Sequence, residues 1–186
     1  MTKIPEPVTM ALRDGLPIIV RAVLPADRPY LQRGVQALSV RSRRDRFLME
    51  RLALSDAELD YLTEIDHHDH VALLAVAPAS DEACDGVGVA RWVRLRSAPA
   101  SAEIAITIVD HHQRRGAGTQ LLVRLAELAI ERGVERFCAT FHAGNPGIAA
   151  LLRRFGPKIE HGGPGLLRAE LATMDVMRMS GRGAVA

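Results

Sequence analysis

The stretch AEIAITIVDHHQRRGAGTQLLVRLAELAIERG, residues 102–133, constrains the fold more than any other part of the chain. An alternating, β-branched run (102–109) passes through a turn holding Gly116-Ala117-Gly118, and a helical pattern opens at once. Over 119–133, Leu121, Leu122, Leu125, Leu128 and Ala129 share one face. Gln120, Arg124, Glu127 and Glu131 share the other, and Gly133 is placed to end the helix. A strand that enters a helix through glycines leaves several backbone N–H groups unpartnered, at the positive end of the helix dipole. Such a turn binds anions, most commonly phosphate, and Arg114 and Arg115 add groups suited to gripping phosphate oxygens.

The spacing excludes two other phosphate turns. A mononucleotide P-loop needs a lysine and a Ser or Thr directly after its second glycine, whereas Thr119-Gln120 follow Gly118. A dinucleotide fingerprint needs glycine at 116, 118 and 121, but residue 121 is leucine. A generic tight turn with a glycine cap is the plain alternative.

The rest of the chain supplies an order of elements. LPIIVRAVL (16–24) reads as a strand, PADRPYLQRGVQALS as a helix carrying Leu31, Val35 and Leu38 at helical spacing, and LSDAELDYLTEID as a short helix with a Ser55/Glu58 capping box. HVALLAVA (70–77), GVGVARWVRL (86–95) and the strand at 102–109 are separated by turn formers, which predicts an antiparallel meander. VERFCATF (134–141) is a strand. NPGIAALLRRFG is a helix with Asn145 as cap and Pro146 at its first position, and GLLRAELATM (165–174) is the strand that closes the sheet. The plan is mixed α/β, in one domain over 17–175. An N-terminal segment (1–16) and a loose tail (176–186) flank it.

Composition sets the class. Hydrophobic content of 48% and charged content of 25% are those of a soluble globular protein, and a net charge of +2 does not argue for nucleic acid. Arg41, Arg43, Arg44, Arg46 and Arg51 read first as a solvated, carboxylate-paired face, and second as an anion site. Two cysteines, Cys84 and Cys138, give no disulfide framework, and Cys138 reads as a small buried thiol. No membrane-spanning run or leader is present, so a cytoplasmic protein is expected.

Gln113-Arg114-Arg115-Gly116-Ala117-Gly118 resembles the acetyl-CoA-binding signature of GNAT-type N-acetyltransferases, Gln/Arg-x-x-Gly-x-Gly/Ala. The strand before it, the helix and strand after it, and the Asn-headed helix ending in RRFG extend the resemblance over roughly 17–175. It implies a GNAT-like fold: a predominantly antiparallel central sheet, splayed between strands 102–109 and 134–141 and flanked by helices. A coenzyme A thioester would lie at the splay, its pyrophosphate on the amides of residues 114–119, including Ala117 and Thr119. Backbone groups of Ile108 and Val109 would pair with the pantetheine arm. Asn145 matches a position that commonly touches the same arm, and a helix cap explains it equally well.

The chemistry needs a neutral amine. A lysine-like amine with pKa ~10.4 is about one part in a thousand neutral near pH 7.4, a cost of roughly 4 kcal/mol that a general base partly offsets. Ala102, Ile104, Ile106 and Ile108 form one face of the strand, and Glu103, Ala105, Thr107 and Val109 the other. Glu103 is the sole ionised side chain in this strand and lies roughly 20 Å from residue 109, the length scale of an extended pantetheine arm. AEIAITIVDHHQRRGAG is similar to bacterial protein-lysine acetyltransferase domains with a glutamate base at this position, which makes Glu103 the expected base. The tyrosine that protonates the leaving thiolate in many relatives is matched by Leu152, so the general acid is unassigned.

DHHDH (66–70) looks like a metal cluster, but adjacent His67 and His68 lack a helical ligand spacing, so no metal is expected. The segment, with His70 at its end, resembles the approach to the HVALLAV strand in the protein-acetyltransferase branch, where a nearby acidic or histidine residue helps shape the acceptor pocket. His111 and His112 border the phosphate turn and read first as a solvated loop, second as phosphate contacts. The expected acceptor is a protein lysine or a small amine, with loops around 25–65 and 160–166 selecting it. LSVRSRRDRFL and the following segment resemble the mycobacterial type with a cyclic-nucleotide domain. The 186 residues leave no room for one, and that regulation is not carried over. Exposed sheet edges can support a homodimer. Two rivals stand beside the enzyme: a non-catalytic acyl-CoA-binding regulatory module, which needs no Glu103, and a nucleic-acid binder. The second has few of the aromatic residues it would stack bases on, since the chain has only seven.

Overall fold

A computed structural model describes residues 3–47, 53–78 and 84–181. One eight-stranded sheet runs through them, in the order β1-β2-β3-β4-β5-β6-β8-β7. Its strands are β1 (Val8–Ala11), β2 (Pro17–Ala22), β3 (His70–Pro78), β4 (Cys84–Leu95), β5 (Ala98–Ile108), β6 (Arg136–His142), β7 (Lys158–Gly163) and β8 (Leu166–Ala172). Neighbours are antiparallel except β5 and β6, which are parallel. That one parallel pair covers only Ser101–Arg136, Ala102–Phe137 and Glu103–Cys138. Beyond Glu103 the two strands part, as the family resemblance implies.

Helices cover both faces. α1 (Arg28–Gln36), α2 (Val40–Phe47) and α3 (Asp56–Thr63) lie on one side; α4 (Ala117–Glu131), α5 (Pro146–Arg153) and α6 (Thr173–Met179) lie on the other. The main core forms under α4, where Leu121, Leu122, Leu125 and Leu128 are buried against Trp92, Ile104 and Phe137. β3 is buried on both faces, Val71 and Leu73 toward α4, Ala72 and Leu74 toward the other side, which is why HVALLAVA carries no polar alternation. The predicted boxes and caps form: Ser55 and Glu58 cap α3 reciprocally, and Gly133, at φ +72°, follows α4.

The structure corrects four expectations. The segment 1–16 is not outside the domain: β1 extends the sheet, and Met10 and Leu12 enter the core. The C-terminal tail does not begin at 176, because α6 buries Val176 against the core, and residues 182–186 lie outside the described residues. Strand β8 does not close the sheet; it inserts between β6 and the unpredicted edge strand β7. Five of the six β7 residues are exposed, so no burial period marks it in the sequence. The arginine run, finally, forms α2 and crosses the splay instead of a wholly solvated outer face, although Arg41 does pair with a carboxylate, Asp45, at 3.8 Å; Arg51 lies outside the described residues.

Candidate functional site: a splayed cleft and an arginine-lined cavity

The turn after β5 is built from backbone. A short 3-10 turn, Asp110–His112, precedes Gln113, and α4 starts after Gly116. Arg114 (φ +61°) and Gly116 (φ +97°) both occupy left-handed backbone, a local curl that aims successive amides to one side. None of the N–H groups of Arg114 through Thr119 donates to a described residue, and the first helical donor is Gln120, to Gly116. Gly116 is sterically required: besides its φ, a Cβ there would stand 3.3 Å from Arg13 Cγ. Gly118 differs. Its added Cβ would meet Leu151 Cδ2 at 3.4 Å, ordinary contact, so packing alone does not demand glycine there.

In front of these amides lies a cleft of about 830 Å³ between β5, α2, α4 and α5. Of the predicted cofactor residues, Ile108, Gln113, Arg114, Gly116, Gly118, Thr119 and Asn145 line it. Arg115 and Ala117 do not. Arg115 turns to Asp14, donating from Nε at 2.6 Å, and to His112 at 2.8 Å, so it braces the β1–β2 loop instead of offering a free cation. Ala117 is buried in the core. Val109 is also misplaced by the sequence reading. Its N–H donates to Val87 O and its carbonyl accepts from His112 N, so both backbone groups are used. Backbone direction alternates along a strand, which turns the N–H and C=O of Ile106 and Ile108 toward the gap left by β6. Ile106 lines the cleft and replaces Val109 as the strand residue able to pair with an extended ligand.

Asp110 sets the far wall. Its carboxylate accepts from Ser39 N (2.8 Å), Ser39 Oγ (3.0 Å) and Ser42 Oγ (2.7 Å), tying the start of α2 to the end of β5. Those contacts hold its carboxyl below the usual range against the opposing effect of burial. Gln113 Nε2 closes the corner on Ile108 O at 3.1 Å. From α2, Arg41 reaches Gly144 O at 3.3 Å across the splay. Arg13, Arg41, Arg46, Arg114 and Arg154 line the cleft against two carboxylates, Asp45 and Asp110. Arg154 also donates to Thr119 Oγ1 at 3.2 Å. Sequence reasoning missed Arg13 and Arg154 as cleft residues, while Arg41 and Arg46 belong to the run whose second reading was an anion site. RRFG was in view, but Arg13 comes from a loop remote in sequence.

Glu103 stands where β5 and β6 part, exposed, about 17 Å along the strand from Ile108 at roughly 3.3 Å per residue. Across the sheet it shares a row with Val93, His70 and Cys138. The next row on the same face holds Arg91 and Ala105. Above these rows a second, small cavity of about 70 Å³ lies between α1, α2, α3 and the sheet, with Leu31, Val35, Leu62 and Val89 in its walls. Arg46 and Arg91 are the charged residues in its lining among the described residues. Burial lowers the pKa of Arg46, an effect that the charge of Glu103 opposes.

The remaining predictions resolve individually. Asn145 Oδ1 caps α5, accepting from Gly147 N (3.1 Å) and Ile148 N (3.2 Å), and the residue also lines the cleft. Leu152 is buried in the core and can donate nothing. His68 pairs with Asp69 at 2.9 Å, and His67 is buried with its carbonyl bound by Arg132. His70 Nε2 meets Arg91 Nη1 at 3.0 Å, and burial first and Arg91 second push its pKa down to about 4. His112 is buried beside Arg115, and His111 is exposed. No group of three or more His, Cys, Asp or Glu among the described residues is arranged to hold a metal ion. No helix among them is long and apolar enough to cross a membrane.

Known proteins share this architecture. Residues 39–156 match the family described as the acetyltransferase (GNAT) family. Acetyltransferase Pat of Mycolicibacterium smegmatis is 31% identical over 150 residues, 81% of this chain and 44% of that protein. The chain therefore spans under half the length of that relative. Acetyltransferase PA5475 of Pseudomonas aeruginosa is 29% identical over 135 residues, 73% of this chain and 72% of that one. The crystal structure of the GNAT domain of S. lividans PAT superposes with a TM-score of 0.82 at 27% identity, covering 91% of this chain and 99% of that one. A strand-to-helix amide cradle, a sheet that opens beside it, and these matches lead to one conclusion: the chain belongs to the GNAT acetyltransferase family.

Proposed function

We propose that this domain transfers an acetyl group from acetyl-CoA to a primary amine by direct attack, with Glu103 as general base. The observation that carries this is the placement of Glu103 at the point where β5 and β6 separate, one extended-arm length from the unpaired amides of residues 114–119. The residues present fit the cosubstrate. Amides and Arg114 would take its pyrophosphate, Arg13, Arg41 and Arg154 add positive charge along the cleft, and Ile106 together with the Ile108 N–H, whose carbonyl is already held by Gln113, would present strand-edge groups to an amide-bearing arm. Bound acetyl-CoA supplies an acyl group activated as a thioester. Glu103 takes a proton from the incoming amine, directly or through one water. As the new C–N bond forms the thioester C–S bond breaks, and coenzyme A would leave as a thiolate that solvent protonates, since Leu152 supplies no acid. Asn145 holds the opposite wall through its cap on α5.

The acceptor is a narrower question. Resemblance to the bacterial protein-lysine branch supports a protein lysine, and a small amine is the alternative acceptor. A non-catalytic acyl-CoA-binding module has no use for a carboxylate at the apex. The test is Glu103→Gln, which keeps the side-chain shape and removes the base. Turnover with acetyl-CoA and an amine panel is expected to fall about 100-fold or more, while the acetyl-CoA dissociation constant changes less than about 2-fold. Unchanged turnover would remove Glu103 from the mechanism. Tight acetyl-CoA binding with no transfer to any amine would favour the regulatory module.

A further inference from the structure

We propose that Arg13 and Arg154 hold the 3′-phosphate of coenzyme A, so that the domain selects the complete coenzyme over its 3′-dephospho form. This rests on the cleft being a coenzyme A site, as read above. The observation is a pair of guanidinium groups beside the amide cradle, on one side of the first turn of α4. Arg13 lies over Gly116: its Cγ and Nε stand 3.3 and 3.6 Å from the point that a Cβ there would take. Arg154 donates to Thr119 Oγ1 at 3.2 Å. Gly116 and Thr119 are three residues apart at the start of the helix, and so share one side of it. Both arginines line the cleft.

Arg13 is held in place by a clamp. Its N–H donates to Arg115 O at 2.9 Å, and the neighbouring Asp14 accepts from Arg115 Nε at 2.6 Å. Gln120 donates to Ala11 O, and the buried Leu12 anchors the loop in the core. Residues 11–14 are thus tied to the start of α4, although they lie outside the stretch 39–156 that matches the family. Arg115 gives up its own charge to Asp14, and in doing so sets a different cation beside the cradle.

The charges in the cleft call for a second anion. Among the described residues, no carboxylate pairs with Arg13, Arg114 or Arg154, and the two carboxylates of the lining are engaged at the far wall. Asp110 accepts from Ser39 and Ser42, and Asp45 pairs with Arg41. A pyrophosphate on the amides and Arg114 leaves Arg13 and Arg154 unmatched. A phosphate monoester adds a charge of about −1.5 to −2 at pH 7 and oxygens suited to planar guanidinium groups. In coenzyme A that monoester is carried on the same ribose as the pyrophosphate, so it lies within one sugar ring of the cradle. The dephospho form offers a neutral hydroxyl there instead.

The test titrates coenzyme A and 3′-dephospho-coenzyme A into the full chain by calorimetry. The complete coenzyme is expected to bind at least about tenfold tighter. Arg13→Gln and Arg154→Gln, both at exposed positions, are each expected to shrink that ratio by about threefold or more. The ratio is the readout, because a general loss of positive charge weakens both ligands alike. Equal binding of the two compounds by the wild type, or an undiminished ratio in either folded variant, would overturn the inference and leave the acetyl-CoA site standing. Binding of neither compound would overturn the coenzyme A reading itself, and this inference with it.

Discussion

The two halves of the site are made differently. The phosphate side is a stretch of backbone, Arg114 to Thr119, whose function follows from φ angles and unpaired amides within six consecutive residues. The second, small cavity beside it is made of side chains from three helices and three strands that share no local pattern. A backbone cradle is tolerant of side-chain identity everywhere except where geometry demands glycine. A side-chain cavity depends on each contributor, and on charges whose partners come from elsewhere in the fold.

That contrast is open to experiment. The largest effect is expected at Gly116→Glu, where a left-handed φ and the close Arg13 side chain both oppose a side chain, and where added negative charge faces the pyrophosphate. The stabilisation that acetyl-CoA gives at 100 times its dissociation constant, about 2.7 kcal/mol, is expected to vanish from the thermal melt. A retained shift would show that the cradle is not the anion site. An intermediate effect is expected on the acceptor side. His70 has a folded pKa of about 4, against about 6.5 in an unfolded chain. Between these values the unfolded state binds a proton that the native state does not, so stability falls as pH drops. The contribution is about 2 kcal/mol between about pH 7.5 and about pH 5. His67 shifts the same way, so the diagnostic is a shallower dependence of unfolding free energy on pH, measured by urea unfolding at several pH values, in His70→Gln than in wild type. Equal slopes would mean that His70 is charged in the native state beside Arg91. The smallest effect belongs to Asn145→Ala, expected to cost about 1 kcal/mol of stability through the lost α5 cap. A rise in the acetyl-CoA Michaelis constant beyond what that destabilisation explains would add a ligand contact to the cap.

Much of the fold was legible because burial leaves a period in the sequence. The isoleucines of β5 alternate with Glu103, the leucines of α4 recur at helical spacing, and Ser55 with Glu58 announces α3. Where burial has no period, the elements were missed. β7 is almost wholly exposed, β1 is four residues long, and α6 was read as a tail because its buried face is little more than Val176. The candidate site divides the same way. Gly116 and Gln113 could be found from spacing, but Val109 and Ile106 could not be told apart. Which of them faces the splay depends on which edge of β5 is taken by β4, and no property of either side chain records that.

Arg114 and Arg115 make the point most sharply. They are adjacent and chemically identical, yet one lines the cleft and the other is held by Asp14, 101 residues away in the chain. The sequence by itself determined what local forces can encode: strand and helix periods, caps, the glycine turn and its amides, and the lone carboxylate on its strand. Tertiary structure alone decided which charges are neutralised. It gave Arg115 a partner and left Arg114 facing the cleft, because electrostatic neutralisation depends on distance in space, which chain order does not record.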